Sequence, residues 1–137
     1  MEAKAVTIHL ATAVGGEDTI RASYSGLLRR QGDTLLLSYT EEDGGAKTST
    51  LLALERGRIT LTRRGAVEFS TVYECGRTHS SLYKTAGLSF PAVTETESLT
   101  LLHGAAYPAA ECVYSLTLGG EKRRFTLSLR TEGRQES

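Results

Sequence analysis

Hydrophobic and polar residues alternate along almost the whole chain. Near the start, Val6, Ile8 and Leu10 occupy alternate positions, and Thr7 and His9 occupy the positions between them. We call residues at alternate positions of one strand residues of the same parity. Because the side chains of a β-strand point alternately to its two faces, this alternation predicts a half-buried strand. The same pattern recurs in about eight to ten short segments separated by turns, and no segment has a helical period longer than about two turns.

The clearest hairpin joins two alternating runs, residues 112–118 and 125–129, through Gly119 and Gly120. Two-residue glycine turns suit the twist of paired antiparallel strands. We therefore predict an all-β protein, with one antiparallel barrel over residues 1–137 and a flexible polar tail from about residue 131. A sandwich is the alternative, but barrel closure removes the exposed strand edges that an open sheet leaves.

One glycine interrupts a strand pattern rather than a turn. Gly26 lies within the alternating run from Thr19 to Arg30. A glycine inside a strand often marks a bend or a β-bulge, so we expect the sheet to bend there.

Composition and charge indicate which kinds of binding partner the protein is expected to have. The chain has 137 residues, with sixteen basic and sixteen acidic side chains, so one domain is expected and overall charge favours neither nucleic acid nor an anionic membrane. The first residues contain neither a basic leader nor a long apolar run, which predicts a cytoplasmic protein. Cys75 and Cys112 belong to no cysteine cluster and are expected to be buried, reduced, small apolar residues.

Residues 58–87 resemble the segment typical of the YwiB-like family, small bacterial proteins of unknown function. The resemblance extends to Ile20, to residues 35–42 and to the strand of Tyr114. Within the segment it is carried by Leu61, Arg63, Gly65, Tyr73, Gly76, His79, Tyr83, Thr85 and Gly87. It implies a calycin-like barrel, the architecture of lipocalins and fatty-acid-binding proteins. The chain departs from the pattern at Ala86, where a proline or an aromatic residue is expected.

Arg63 shares its strand parity with Ile59 and Leu61. An arginine that faces the interior needs a partner, because an isolated buried charge costs several kcal/mol. Three carboxylates, Glu41, Glu95 and Glu97, have inward parity on other strands. Arg63 is therefore expected either to form an ion pair at the mouth of the barrel or to bind the carboxylate or phosphate of a ligand.

Most tyrosines also have inward parity. In a barrel their rings pack the interior, and their hydroxyl groups can line a pocket. Together with Arg63 and one inward carboxylate they form the predicted ligand-binding set, which is Arg63, Tyr39, Tyr73, Tyr83, Tyr114 and Glu95.

Sequence motifs for catalysis or metal binding are absent. His9, His79 and His103 lie on separate segments, without the spacing of a metal site, and no GxSxG motif occurs. We therefore predict no metal and no cofactor and assign no catalytic residue. A hydrolase whose serine, histidine and aspartate are brought together only by the fold ranks third among the functions considered.

Two functions agree with these features. The first is binding of a small, partly apolar or anionic ligand inside the barrel. The alternative is a non-catalytic interaction or structural module that acts through the barrel exterior, including as a homodimer. It rests on apolar residues at outward parity, namely Leu27, Leu36, Leu51 and Val113.

Overall fold

A computed structural model describes residues 3–102 and 106–134. This part of the chain forms ten β-strands and no helix. The strands are β1 Lys4–Val14, β2 Thr19–Gln31, β3 Thr34–Asp43, β4 Ala46–Glu55, β5 Arg58–Gly65, β6 Val67–Tyr73, β7 Thr78–Thr85, β8 Leu88–Leu102, β9 Ala109–Leu118 and β10 Glu121–Gly133. None of the described residues belongs to a helix long and apolar enough to cross a membrane.

The strands form a closed antiparallel barrel in which each strand pairs with its neighbours in the sequence. Pairing of β1 with β10, from Val6 with Gly133 to Val14 with Phe125, closes the sheet. The predicted all-β barrel is thus confirmed. Because β1 pairs with β10, neither terminal strand has the unpaired edge that an open sheet would leave.

The last strand continues further than the predicted tail allows. Thr131 is buried and donates a hydrogen bond of 2.7 Å from Oγ1 to the carbonyl oxygen of Pro108. The backbone N–H of Arg134 still donates to the oxygen of Ala5, at 3.1 Å. The tail therefore does not begin at residue 131, and residues 135–137 lie outside the described part of the chain.

Strand β8 contains a β-bulge that the sequence pattern does not reveal. Thr96 pairs with Tyr114 and Ser98 pairs with Val113, so Glu97 is an extra residue in the ladder. One extra residue shifts the alternation of the strand. Residues of β8 before the bulge therefore face the opposite side of the sheet from the side predicted by counting back from the residues after it. The predicted inward orientation of Glu95 is therefore wrong.

Gly26 is not a β-bulge, because it pairs regularly with Val6 and with Tyr39. A Cβ at this position would lie 2.5 Å from the oxygen of Ser38 and 2.7 Å from Cδ1 of Ile8. The close approach of neighbouring atoms explains the glycine.

The interior is looser toward one end on the side of β1, β3 and β5, whereas inward residues of β4, β6 and β8 at that end, such as Thr50, Thr71 and Thr94, stay buried. Because alternate strands of the barrel are parallel, β1, β3 and β5 run toward the same end. Along each, inward residues change from buried to half-buried, from Ile8 to Leu10, from Leu37 to Tyr39, and from Ile59 to Leu61. The buried half is a continuous apolar core, and the looser half contains the site described next.

Candidate functional site

The loosely packed end of the barrel encloses a pocket of about 220 Å³. Its walls are mainly apolar, with leucines from β1, β4, β5 and β10. Its hydroxyl-bearing and charged side chains are Thr12, Tyr39, Glu41, Arg63, Tyr73 and Tyr114. A mostly apolar cavity with a few convergent polar groups is the usual form of a small-molecule site.

Arg63 and Glu41 form an ion pair at the pocket. Nη2 of Arg63 donates a hydrogen bond to Oε2 of Glu41, and the two side chains are 24% and 28% exposed. The partner expected for Arg63 is thus present. Among the described residues this is its one side-chain hydrogen bond, although a guanidinium carries five N–H donors. Donor capacity therefore remains for a ligand.

Strand register brings this pair together. Arg63 on β5 pairs with Thr50 on β4, and Thr50 pairs with Tyr39 on β3. Glu41 follows Tyr39 by two residues, so it occupies the same face of β3, one step closer to the mouth. The sequence pattern places Glu41 on the inward face of its strand, but the predicted ligand-binding set does not contain Glu41.

Two tyrosine pairs contribute to the wall. Tyr39 stacks on Tyr24 with ring centroids 4.7 Å apart and planes inclined at 19°. Tyr73 and Tyr114 also have centroids 4.7 Å apart but are tilted by 57°. Paired rings hold one another in place. Tyr39, Tyr73 and Tyr114 consequently line the pocket as rigid groups.

Two of the six predicted site residues lie elsewhere. Tyr83 packs against Phe69, at 5.4 Å between ring centroids, and does not line the pocket. Glu95 lies outside, where its carboxylate is 3.6 Å from Nζ of Lys122. The structure therefore brings together Arg63, Tyr39, Tyr73 and Tyr114 but not Tyr83 or Glu95.

Burial disfavours ionisation of the tyrosine and cysteine side chains in the pocket wall. Desolvation, with the Glu41 carboxylate nearby, raises the pKa of Tyr39 from 10.0 to about 12. Desolvation likewise raises the pKa of the Cys112 thiol to about 12. Both groups are consequently neutral at physiological pH, as a hydrogen-bonding or apolar wall requires.

We expect Tyr39 to lower the stability of the protein at alkaline pH. Because its folded pKa is above the unfolded value of 10.0, its contribution is intact below pH 10. It is lost as pH rises toward 12, since the unfolded chain releases the proton first. The loss is about 2 to 3 kcal/mol. Urea unfolding of wild type and Tyr39→Phe between pH 8 and 12 measures it.

The difference in unfolding free energy between the two proteins should be constant from pH 8 to pH 9.5. Above pH 10 it should shift in favour of Tyr39→Phe, because phenylalanine cannot ionise. Parallel curves over the whole range would contradict the raised pKa of Tyr39.

No group of three or more His, Cys, Asp or Glu side chains arranged to hold a metal ion occurs among residues 3–102 and 106–134. His103 lies outside the described residues, and the interior site is accordingly defined by its arginine, its carboxylate and its phenol groups.

Fold and pocket define a ten-stranded antiparallel barrel whose interior is open at one end. The family model for a domain of unknown function, DUF1934, matches residues 6–129, and the chain belongs to this family. The chain is also similar to a crystal structure of the ywiB protein from Bacillus subtilis, with a TM-score of 0.87 and 20% sequence identity. That alignment covers 97% of this chain and 94% of the other.

The predicted YwiB-like resemblance is thereby confirmed. At 20% identity the likeness shows the fold alone. A search of curated proteins found no match.

Proposed function

We propose that the barrel binds a small, partly apolar ligand in the interior pocket, with a carboxylate or similar polar group held at Arg63. The observation that carries this proposal is the pocket itself, a mostly apolar space inside the barrel whose wall carries Arg63, Glu41 and three tyrosines. The interior of an eight-stranded barrel is filled by side chains or holds one small ligand, and a ten-stranded barrel is wider. The enclosed space therefore suits a small ligand.

The size of the pocket restricts the ligand. A cavity of about 220 Å³ has the volume of about seven water molecules in the liquid. It is smaller than the usual range for drug-sized ligands, which begins at roughly 300 Å³. A short alkyl or small ring body with one polar group fits this space, whereas a long-chain lipid does not.

Arg63 favours an acidic group on the ligand. Its guanidinium can bind a carboxylate through two parallel N–H donors, and only one donor group is used by Glu41. Glu41 partly neutralises Arg63, so a ligand anion gains affinity from directed hydrogen bonds more than from net charge. The hydroxyl groups of Tyr39 and Tyr114 can complete the polar contacts.

A short monocarboxylate series, from butyrate to octanoate, tests the proposal, with the corresponding alcohols as neutral comparisons. At a concentration about ten times the Kd, a ligand that binds only the folded protein stabilises it by about 1.4 kcal/mol. For a domain of this size the Tm should then rise by about 4 to 6 °C. At least one carboxylate should raise the Tm more than its alcohol does.

The matched variants are Arg63→Met/Glu41→Gln and Arg58→Met. The double variant removes both charges of the pocket without leaving Glu41 unpaired. Arg58 is a second arginine of β5 that pairs with a glutamate, but Arg58 and Glu55 lie at the surface turn. The carboxylate shift should disappear in the double variant and persist in Arg58→Met. No shift with wild type, or equal shifts in all three proteins, would refute the proposal.

The alternative function, interaction through the barrel exterior, is supported by an outer groove between β2 and β5. Leu27 is 45% exposed there and lies beside Leu51 and Thr62. A protein that is dimeric by light scattering, that becomes monomeric in Leu27→Asp and that shows no carboxylate shift would favour this function over ligand binding.

A further inference from the structure

A serine, a histidine and a glutamate form a connected chain on the outer face of the barrel. Nδ1 of His9 lies 2.7 Å from Oγ of Ser23. Nε2 of the same ring lies 2.9 Å from Oε1 of Glu132. The three residues come from β1, β2 and β10, and their side chains lie together because His9 pairs directly with Ser23 and because β10 closes the barrel against β1.

The two hydrogen bonds determine the protonation of His9 in its neutral form. A carboxylate can only accept, so Nε2 must carry the proton that it donates to Glu132. Nδ1 is then an acceptor, and the Ser23 hydroxyl donates to it. A serine that donates to a histidine whose other nitrogen is held by a carboxylate has the arrangement of an activated nucleophile, independent of the fold that carries it.

A groove of about 480 Å³ lies over His9 and Ser23. Ala11, Arg21, Arg130 and the acidic Glu111 also line it, whereas Glu132 does not. The small alanine leaves room for an acyl group beside Ser23. Ser23 pairs with His9 on β1, and the guanidinium groups of Arg21 and Arg130 supply N–H donors suited to stabilise an oxyanion.

We propose that Ser23, His9 and Glu132 form an acyl-transfer site that hydrolyses short-chain carboxylic esters, separate from the interior pocket. Ser23 Oγ bonds to the ester carbonyl carbon while its proton passes to Nδ1 of His9. The ester C–O bond breaks, and the departing alcohol takes that proton. Water then attacks the acyl carbon and gives a proton to Nδ1, and the carboxylic acid leaves as Ser23 regains its proton from His9.

Within this site, Ser23 and His9 are catalytic residues and Glu132 is a positioning residue. The Glu132 carboxylate holds the Nε2–H form of the ring and directs Nδ1 toward Ser23. The hydrogen bond from His9 also lowers the pKa of Glu132, so this carboxylate is ionised at neutral pH.

The test combines hydrolysis of 4-nitrophenyl butyrate with labelling by a fluorophosphonate, followed by mapping of the labelled peptide. Wild type should be labelled at Ser23. Ser23→Ala should lose the label and about a hundredfold or more in kcat/KM, and His9→Gln should lose a similar factor because the two residues act as one unit. Glu132→Gln should lower kcat with little change in KM, because the carboxylate orients the ring and does not contact the substrate.

Ser25→Ala is the matched control, since Ser25 is the next exposed serine on the same face of β2. It should keep both the label and the rate. All four substitutions lie on the outer surface, and equal Tm values would show that the fold is retained. Absence of a label on Ser23, or a rate in Ser23→Ala equal to that of wild type, would overturn the proposal. Neither result depends on ligand binding in the interior.

Discussion

Replacement of Gly65 by alanine should lower the free energy of unfolding by about 2 to 4 kcal/mol. Gly65 ends β5 with a φ of +127°, a conformation that side chains rarely adopt. An added Cβ would also collide with the carbonyl oxygen of Lys47 and lie 3.2 Å from Cα of Thr48. Both neighbours are backbone atoms, so no side-chain rotation relieves the contact.

The β4 backbone cannot move away without further loss. The N–H of Ala66 donates to the same Lys47 oxygen at 2.9 Å, and Thr48 pairs with Gly65 in the ladder. Displacing Lys47 would weaken both interactions. The expected cost therefore exceeds that of an unfavourable φ alone.

Gly57→Ala separates the two contributions. Gly57 lies in the turn between β4 and β5 with a φ of +77°, and nothing lies within 4 Å of an added Cβ. Its substitution should cost about 1 to 2 kcal/mol, the usual penalty for a left-handed residue with a side chain. Urea unfolding of the two variants gives the comparison. Equal losses would mean that the Lys47 contact contributes nothing.

The strands and their inward faces could be predicted because alternation is a local property. Val6 and Ile8, or Leu35 and Leu37, show their orientation without knowledge of the rest of the chain. Thr96, Glu97 and Ser98 do not, because three consecutive polar residues carry no sign of which one is extra. Parity read backward from Leu99 therefore assigned Glu95 to the interior, whereas the bulge places it outside.

The candidate site could be predicted only in part, for a related reason. Inward parity identified Arg63 and the tyrosines, and it also identified Glu41 as one of three acidic candidates. The bulge in β8 leaves Glu95 and Glu97 outside, where they pair with Lys122 and Arg124. Glu41 is the partner because β4 aligns Arg63 with β3. Likewise, Ser23, His9 and Glu132 meet only after β1 pairs with both β2 and β10.

Leucine truncations should reveal the difference between the two halves of the barrel. Leu37 is fully buried in the packed half, so Leu37→Ala should cost about 3 to 5 kcal/mol, from lost burial and from the cavity that remains. Leu61 is half-buried and already lines the pocket. Leu61→Ala removes the same atoms but enlarges an existing space, and it should cost about 1 to 2 kcal/mol.

Urea unfolding measures the loss of unfolding free energy in both variants. Because both substitutions replace leucine by alanine, the two losses differ only through the surroundings of the side chain. A loss for Leu61→Ala as large as that for Leu37→Ala would mean that the side chains around Leu61 are tightly packed in solution. The pocket would then have no room for a ligand, and Arg63 with Glu41 would serve as an ion pair at the mouth of a filled barrel. A clear difference would instead show that side-chain packing contributes less to stability around Leu61 than around Leu37, as an open pocket requires.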